Sequence, residues 1–182
     1  MNPEQGSMLV VDDVEANRDL LSRRLQRNGH SVVMAENGRQ ALDLLQERQF
    51  DVILCDIMMP EMNGYEVLEK LKADPQLRHI PVIMISALDD IESVVRCIEL
   101  GAEDYLFKPF NPTLLRARIN ACLEKKRLRD QEQAYLEKLK AEQEKSERLL
   151  LSILPQPVAE QLKQTQSTIA ESFAEATVLF AD

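Results

Sequence analysis

The sequence predicts an α/β domain: a five-stranded parallel sheet in the order 2-1-3-4-5, with helices on both faces and a long coiled-coil helix after it. Three observations lead there. Short apolar runs alternate with amphipathic stretches up to about residue 123. Several of those runs stop at an acid or a hydroxyl rather than at a hairpin turn. From Asn111 the alternation ceases, and after Pro112 no glycine or proline occurs until Pro155.

Each element has its own signal. Residues 8–12 (MLVVD) form a short apolar run ending in acid, the pattern of a strand buried on both faces. A helical stretch follows with Leu20, Leu21 and Leu25 expected on one face, stopped at Asn28 and Gly29. Ser31–Ala35 is the second strand. Asn37 can cap a helix carrying Ala41, Leu42 and Leu45. Residues 51–56 (DVILCD) are a third strand, again ending in acid. Gly64–Ala73 reads as a helix, broken at Asp74–Pro75. Residues 81–86 (PVIMIS) are the fourth strand, 91–100 a helix ended by Gly101, and Asp104–Phe107 a short fifth strand.

Strands separated by helices require parallel pairing with both faces covered. Right-handed crossovers leave few topologies, and the order chosen is flavodoxin-like. Sites in such sheets lie beyond the carboxyl ends of the strands. That rule gathers Asp12, Asp13, Asp56, Ser86 and Lys108, which are far apart in sequence.

Asn111 is a good cap and Pro112 a good first helical residue. An unbroken helix over 112–154 would be roughly 60 Å long. Its first turns, with Leu115, Ile119 and Leu123, should pack on the sheet. Beyond them one heptad register places Leu128, Tyr135, Glu142 and Leu149 at a, and Leu139, Ser146 and Ile153 at d. This is a seam with polar interruptions; the other reading is a solvated single helix. After Pro155 a short helix is expected at 158–163 and a strand at 177–180, closing at Asp182. A strand without a partner suggests the edge of a further domain.

Charge supports the division. The net charge of −9 argues against a nucleic-acid-binding surface. Residues 1–123 carry 13 Lys/Arg against 20 Asp/Glu, whereas 124–148 carry 8 against 7. The expected domains are therefore 1–123, 124–154 and 155–182. Cys55, Cys97 and Cys122 sit among apolar neighbours without metal-site spacing, and read as reduced core thiols. No apolar run reaches the ~18 residues of a membrane span, and no signal peptide is visible. The expectation is a cytoplasmic protein.

Asp12, Asp13 and Asp56 at one sheet edge repel one another unless a cation or a proton intervenes. Oxygen ligands without His or Cys favour a hard ion, and Mg²⁺ keeps waters and accepts phosphate oxygens. Lys108 adds a positive charge and Ser86 a hydroxyl donor. A carboxylate so surrounded suits phosphoryl transfer.

The VVDD run ending at Asp13, DIMMPEMNGYE from Asp56, MISA at Ser86 and YLFKPF around Lys108 together closely resemble the receiver domain of two-component response regulators. The resemblance covers about 7–123. It implies that Asp56 is the phosphoacceptor, with Asp12, Asp13 and the backbone carbonyl of Met58 completing the Mg²⁺ site. It implies that Lys108 is the phosphate partner, Ser86 the switch hydroxyl and Tyr105 the aromatic that follows it, and that the Lys108–Pro109 peptide is cis. The implied donor is a sensor histidine kinase or a phosphotransfer protein. Met58 and Leu88 flank the path of the hydrolytic water in this family. Being apolar, they imply a long-lived phosphoryl group.

The segment LLLSILPQPVAEQLK followed by STIAESFAEATVLFAD is similar to the entry of a class III adenylate/guanylate cyclase domain. Asp182 then matches one of that family's two metal-binding aspartates. The rest of such a domain is absent from the sequence, so the fragment itself is expected to be no enzyme beyond phosphotransfer at Asp56. A phosphatase output is the rival, since such regulators also place an LLP-type element after a signalling helix. A stand-alone module whose helix binds a partner protein is the other class of reading. A cyclase output implies a parallel homodimer through the helix, because its active site forms between two copies.

Overall fold

The computed structural model describes residues 5–87 and 91–153, with side chains to Leu149. Its elements are β1 Ser7–Val11, α1 Glu15–Arg27, β2 Ser31–Ala35, α2 Gly38–Glu47, β3 Val52–Asp56, α3 Gly64–Ala73, β4 Val82–Ser86, α4 Ile91–Glu99, β5 Asp104–Phe107 and α5 Pro112–Ile153. The strands are all parallel, in the order β2-β1-β3-β4-β5. This is the expected flavodoxin-like sheet, followed by the long helix. Strand bounds differ from the sequence reading by a residue at most.

Side-chain alternation divides the core in two. Leu9, Val11, Ile53, Cys55, Val82, Met84 and Tyr105 point to the face that buries Ala41, Leu45, Val67, Leu68 and Cys97 of α2, α3 and α4. Met8, Val10, Val52, Leu54, Ile83, Ile85 and Leu106 point to the other face, onto Leu21 and Leu25 of α1 and Leu115, Ile119 and Leu123 of α5. The first turns of α5 therefore pack on the sheet as expected. Leu20 does not join Leu21 and Leu25. It is 46% exposed, because successive helical residues are about 100° apart and one narrow face cannot hold both Leu20 and Leu21.

The starts of α2, α3 and α5 are fixed by side-chain caps. Asn37 Oδ1 accepts from the Gln40 N–H at 2.8 Å. Asn63 and Glu66 form a reciprocal capping box at α3. Asn111 Oδ1 accepts from the Thr113 N–H at 2.8 Å. The three cysteines are buried and free.

Contacts divide the chain into one unit ending at Asp130 and another beginning at Gln131. In the second unit Tyr135, Leu139 and Leu149 of the heptad register are exposed, as is Leu128 at the end of the first. Leu88, the side chain of Ile153, the segments 158–163 and 177–180, and Asp182 lie outside the described residues. Among the described residues no helix is long and apolar enough to cross a membrane.

Candidate functional site

Strand parity decides which polar residues meet. Asp12, Asp56 and Lys108 continue the series Met8–Val10, Val52–Leu54 and Leu106, so they leave the sheet on the α1/α5 parity. The register pairs Val11 with Cys55, and one further step sets Asp12 beside Asp56. Ser86 and Tyr105 have the opposite parity, with Met84, toward α2, α3 and α4. Ser86 pairs with Phe107 and Met84 with Tyr105. The hydroxyl thus shares a face with both aromatic rings, whose centroids are 4.9 Å apart.

Lys108 Nζ lies between two carboxylates, 2.7 Å from Asp12 Oδ2 and 3.0 Å from Asp56 Oδ1. Asp12 and Asp56 are buried and Asp13 is exposed. One carboxylate oxygen from each of the three falls within 4.8 Å of the others. Burial pushes the Asp56 carboxyl above its usual range, and the Asp12 charge adds to this, while the Lys108 ammonium pulls against both. Burial alone would lower the Lys108 ammonium, but its bonds to Asp12 and Asp56 and their charges outweigh it and hold it high. The site is therefore short of positive charge. Its oxygen-only donors, partly open through Asp13, fit a hard divalent cation. Ser86 is fully buried, Tyr105 nearly so, and Met58 is 61% exposed in the β3–α3 loop. The Lys108–Pro109 peptide is cis.

Several residues that hold this geometry carried no sequence signal strong enough to single them out. Asp12 Oδ1 accepts from the Val14 N–H and from Asn17 Nδ2, at 2.9 and 3.1 Å. Arg18 donates to the carbonyls of Asp12 and Asp13 at 2.6 and 2.9 Å. An Asn and an Arg in the first turn of a helix look like ordinary solvated residues until the turn folds back on the strand end. Gly64 is the third. A Cβ there would sit 2.2 Å from the Asp56 carbonyl oxygen. Arg96 of α4 stacks on Tyr65 of α3, 4.2 Å from the ring centroid. With Asp13, Met58 and Asn63 they line a cleft of about 510 Å³ beside the carboxylates.

A family model described as the response regulator receiver domain matches residues 8–120. Response regulator PleD of Caulobacter vibrioides is 44% identical over 114 residues, covering 63% of this chain and 25% of that protein. A probable transcriptional regulator, ycf27 of Guillardia theta, is 42% identical over 116 residues, covering 64% of this chain and 44% of that protein. The chain thus spans less than half the length of these relatives. Among solved structures, the signal receiver domain of a signal transduction histidine kinase from Syntrophus aciditrophicus superposes with a TM-score of 0.62 at 36% identity. That match covers 66% of this chain and 91% of the other.

Proposed function

We propose that this chain, which belongs to the response regulator receiver domain family, accepts a phosphoryl group on Asp56 and relays the change through its C-terminal helix. One arrangement carries the reading: the Lys108 ammonium held between the buried Asp12 and Asp56 carboxylates, with Asp13 beside them. Asp12, Asp13, Asp56 and the Met58 carbonyl would hold Mg²⁺, which supplies the positive charge that offsets donor and acceptor. An Asp56 carboxylate oxygen forms the new bond to phosphorus as the donor's bond to it breaks. Lys108, 3.0 Å from that carboxylate, meets one oxygen of the transferred group.

Ser86 donates its hydroxyl to another of those oxygens, reaching from the opposite face of the sheet. Tyr105 shares that face, already packed inward, and its ring adjusts as Ser86 moves, so the surface of α4, β5 and α5 repacks. The donor is a cytoplasmic sensor histidine kinase or phosphotransfer protein. We assign the output to a class III adenylate/guanylate cyclase domain, on the strength of the sequence from Leu149 to Asp182 alone, with Asp182 as one of its metal ligands. Two such domains meet when α5 pairs in parallel with its copy, so the signalling form is a homodimer.

Asp56→Asn should not be labelled by acetyl phosphate with Mg²⁺ present, and chelation should stop labelling of the wild type. Stoichiometric label on the variant would remove Asp56 from its role. The output is tested on the full-length protein by assaying cyclisation of ATP and GTP; neither product forming would eliminate the cyclase.

A further inference from the structure

The roots of two strands are fastened to one helix. Asp51 immediately precedes β3, whose other end is Asp56. Glu103 immediately precedes β5, which leads to Lys108. Lys126 Nζ of α5 lies 2.8 Å from Asp51 Oδ1, and Asp51 Oδ2 also accepts from the Ser7 N–H of β1 at 2.8 Å. Glu103 takes two cations from α5, Lys125 on one oxygen and Arg129 on the other at 3.8 Å. One step further, Arg118 lies 3.0 Å from Asp104 at the start of β5. Lys126 is 17% exposed and also reaches Asp130, at 3.2 Å. Solitary surface ion pairs contribute little, but here Glu103 holds two cations of α5 at once, and the partly buried Lys126 bridges Asp51 and Asp130, so two adjacent clusters fasten the same turns.

We infer that Asp51 and Glu103, with Lys125, Lys126 and Arg129, form an ionic clamp gearing the base of the output helix to the strands that carry Asp56 and Lys108. This rests on the receiver reading above and adds its route of transmission. A strand is a stiff rod. A pull at its carboxyl end, where the phosphoryl group lands, reaches its root with little loss. The clamp sits at that root, on the last turns of α5 within the first unit. Lys125 and Arg129 are one turn apart on one side of the helix, with Lys126 next to them. Leu128 lies roughly 110° round from the middle of that side, and is 60% exposed. The clamp therefore sets the azimuth at which the apolar seam begins. Asp51 and Lys126 are perturbed as mutual partners. Burial opposes ionisation of each, yet Asp51 is held below its ordinary range and Lys126 above its own.

The test uses the full chain and the nearly isosteric double variant D51N/E103Q. Neither residue belongs to the phosphoacceptor site, and the amide oxygen introduced at position 51 can still accept from the Ser7 N–H. Hydrogen exchange is followed at amides 124–130, with 113–121 as the internal reference, before and after loading with beryllofluoride and Mg²⁺. In the wild type, loading should change exchange at 124–130. In the double variant, exchange there should be about tenfold faster before loading and should show no further change upon it. Unaltered exchange at 124–130 in the unloaded variant would overturn the clamp, and so would a wild-type loading response surviving in the variant. Failure of the wild type to take beryllofluoride would count against the receiver reading, while the unloaded comparison would still decide the clamp.

Discussion

Gly64→Ala tests how tightly the phosphoacceptor segment is packed. The added Cβ would lie 2.2 Å from the Asp56 carbonyl oxygen, 2.8 Å from Ile57 Cα and 2.9 Å from Met84 Cε. Ordinary contacts to carbon are about 3.5–4.0 Å, so the nearest overlap exceeds an ångström. Met84 Cε is the tip of a flexible side chain and can give way. The other two atoms are backbone, in β3 and just after it, and the Gly64 N–H is itself bonded to the Ile57 carbonyl at 2.9 Å. Overpacking of this kind costs about 1–3 kcal/mol, and the better helix propensity of Ala returns at most ~1 kcal/mol. With the two closest clashes on backbone atoms the upper end of that cost applies, and the expected net loss is about 2 kcal/mol. At about 4 °C per kcal/mol for a domain of this size, the melting midpoint should fall by about 8 °C. Because strain relief must move the Asp56 backbone, phosphorylation by acetyl phosphate should slow as well. Circular-dichroism melts and a labelling time course measure the two effects. A midpoint within about 2 °C of wild type, with labelling unchanged, would show that the β3–α3 junction yields freely and that the argument from close approach is wrong.

Three other outcomes are expected. Asp51 is held below its ordinary carboxylate range because the Lys126 ammonium and the Ser7 N–H outweigh its burial. Its unfolded form binds a proton more readily, so its contribution is complete above about pH 4 and is lost as the pH falls further. Denaturant melts of wild type and Asp51→Asn should therefore converge toward pH 3 and diverge toward pH 6, and parallel curves would refute this. Replacing Glu142 and Ser146 together with Leu should strengthen self-association, because a carboxylate at a seam position is costly to desolvate, and should weaken the response to phosphorylation. Sedimentation equilibrium checks the first half; a monomer at tens of micromolar in both proteins would end the dimer proposal. Met58→Asn should shorten the life of the phosphoryl group by placing a polar side chain beside the water's path. Decay of radiolabel at the wild-type rate would rule that out.

What the sequence determined by itself was local or periodic. Caps at Asn37 and Asn111 can be read because a short polar side chain and the N–H groups it satisfies are within three residues of each other. The parallel sheet follows from apolar runs too short for helices, separated by helical periods. In a sheet of that order, the strand-end rule points to the carboxylates and Lys108. The tertiary structure decided matters that depend on what lies across a face. β2 is as apolar as its neighbours, yet Met34 is 42% exposed, because β2 is an edge strand and only the order of the sheet makes it one. Leu20 is exposed and Leu21 buried because a helix shows a sheet only part of its circumference. Gly64 lies against the Asp56 carbonyl, and Asp51 and Glu103 meet α5 many residues later in the chain. Composition and spacing carry no record of such contacts, since the partners are chosen by strand register and by the path of the helix over the sheet.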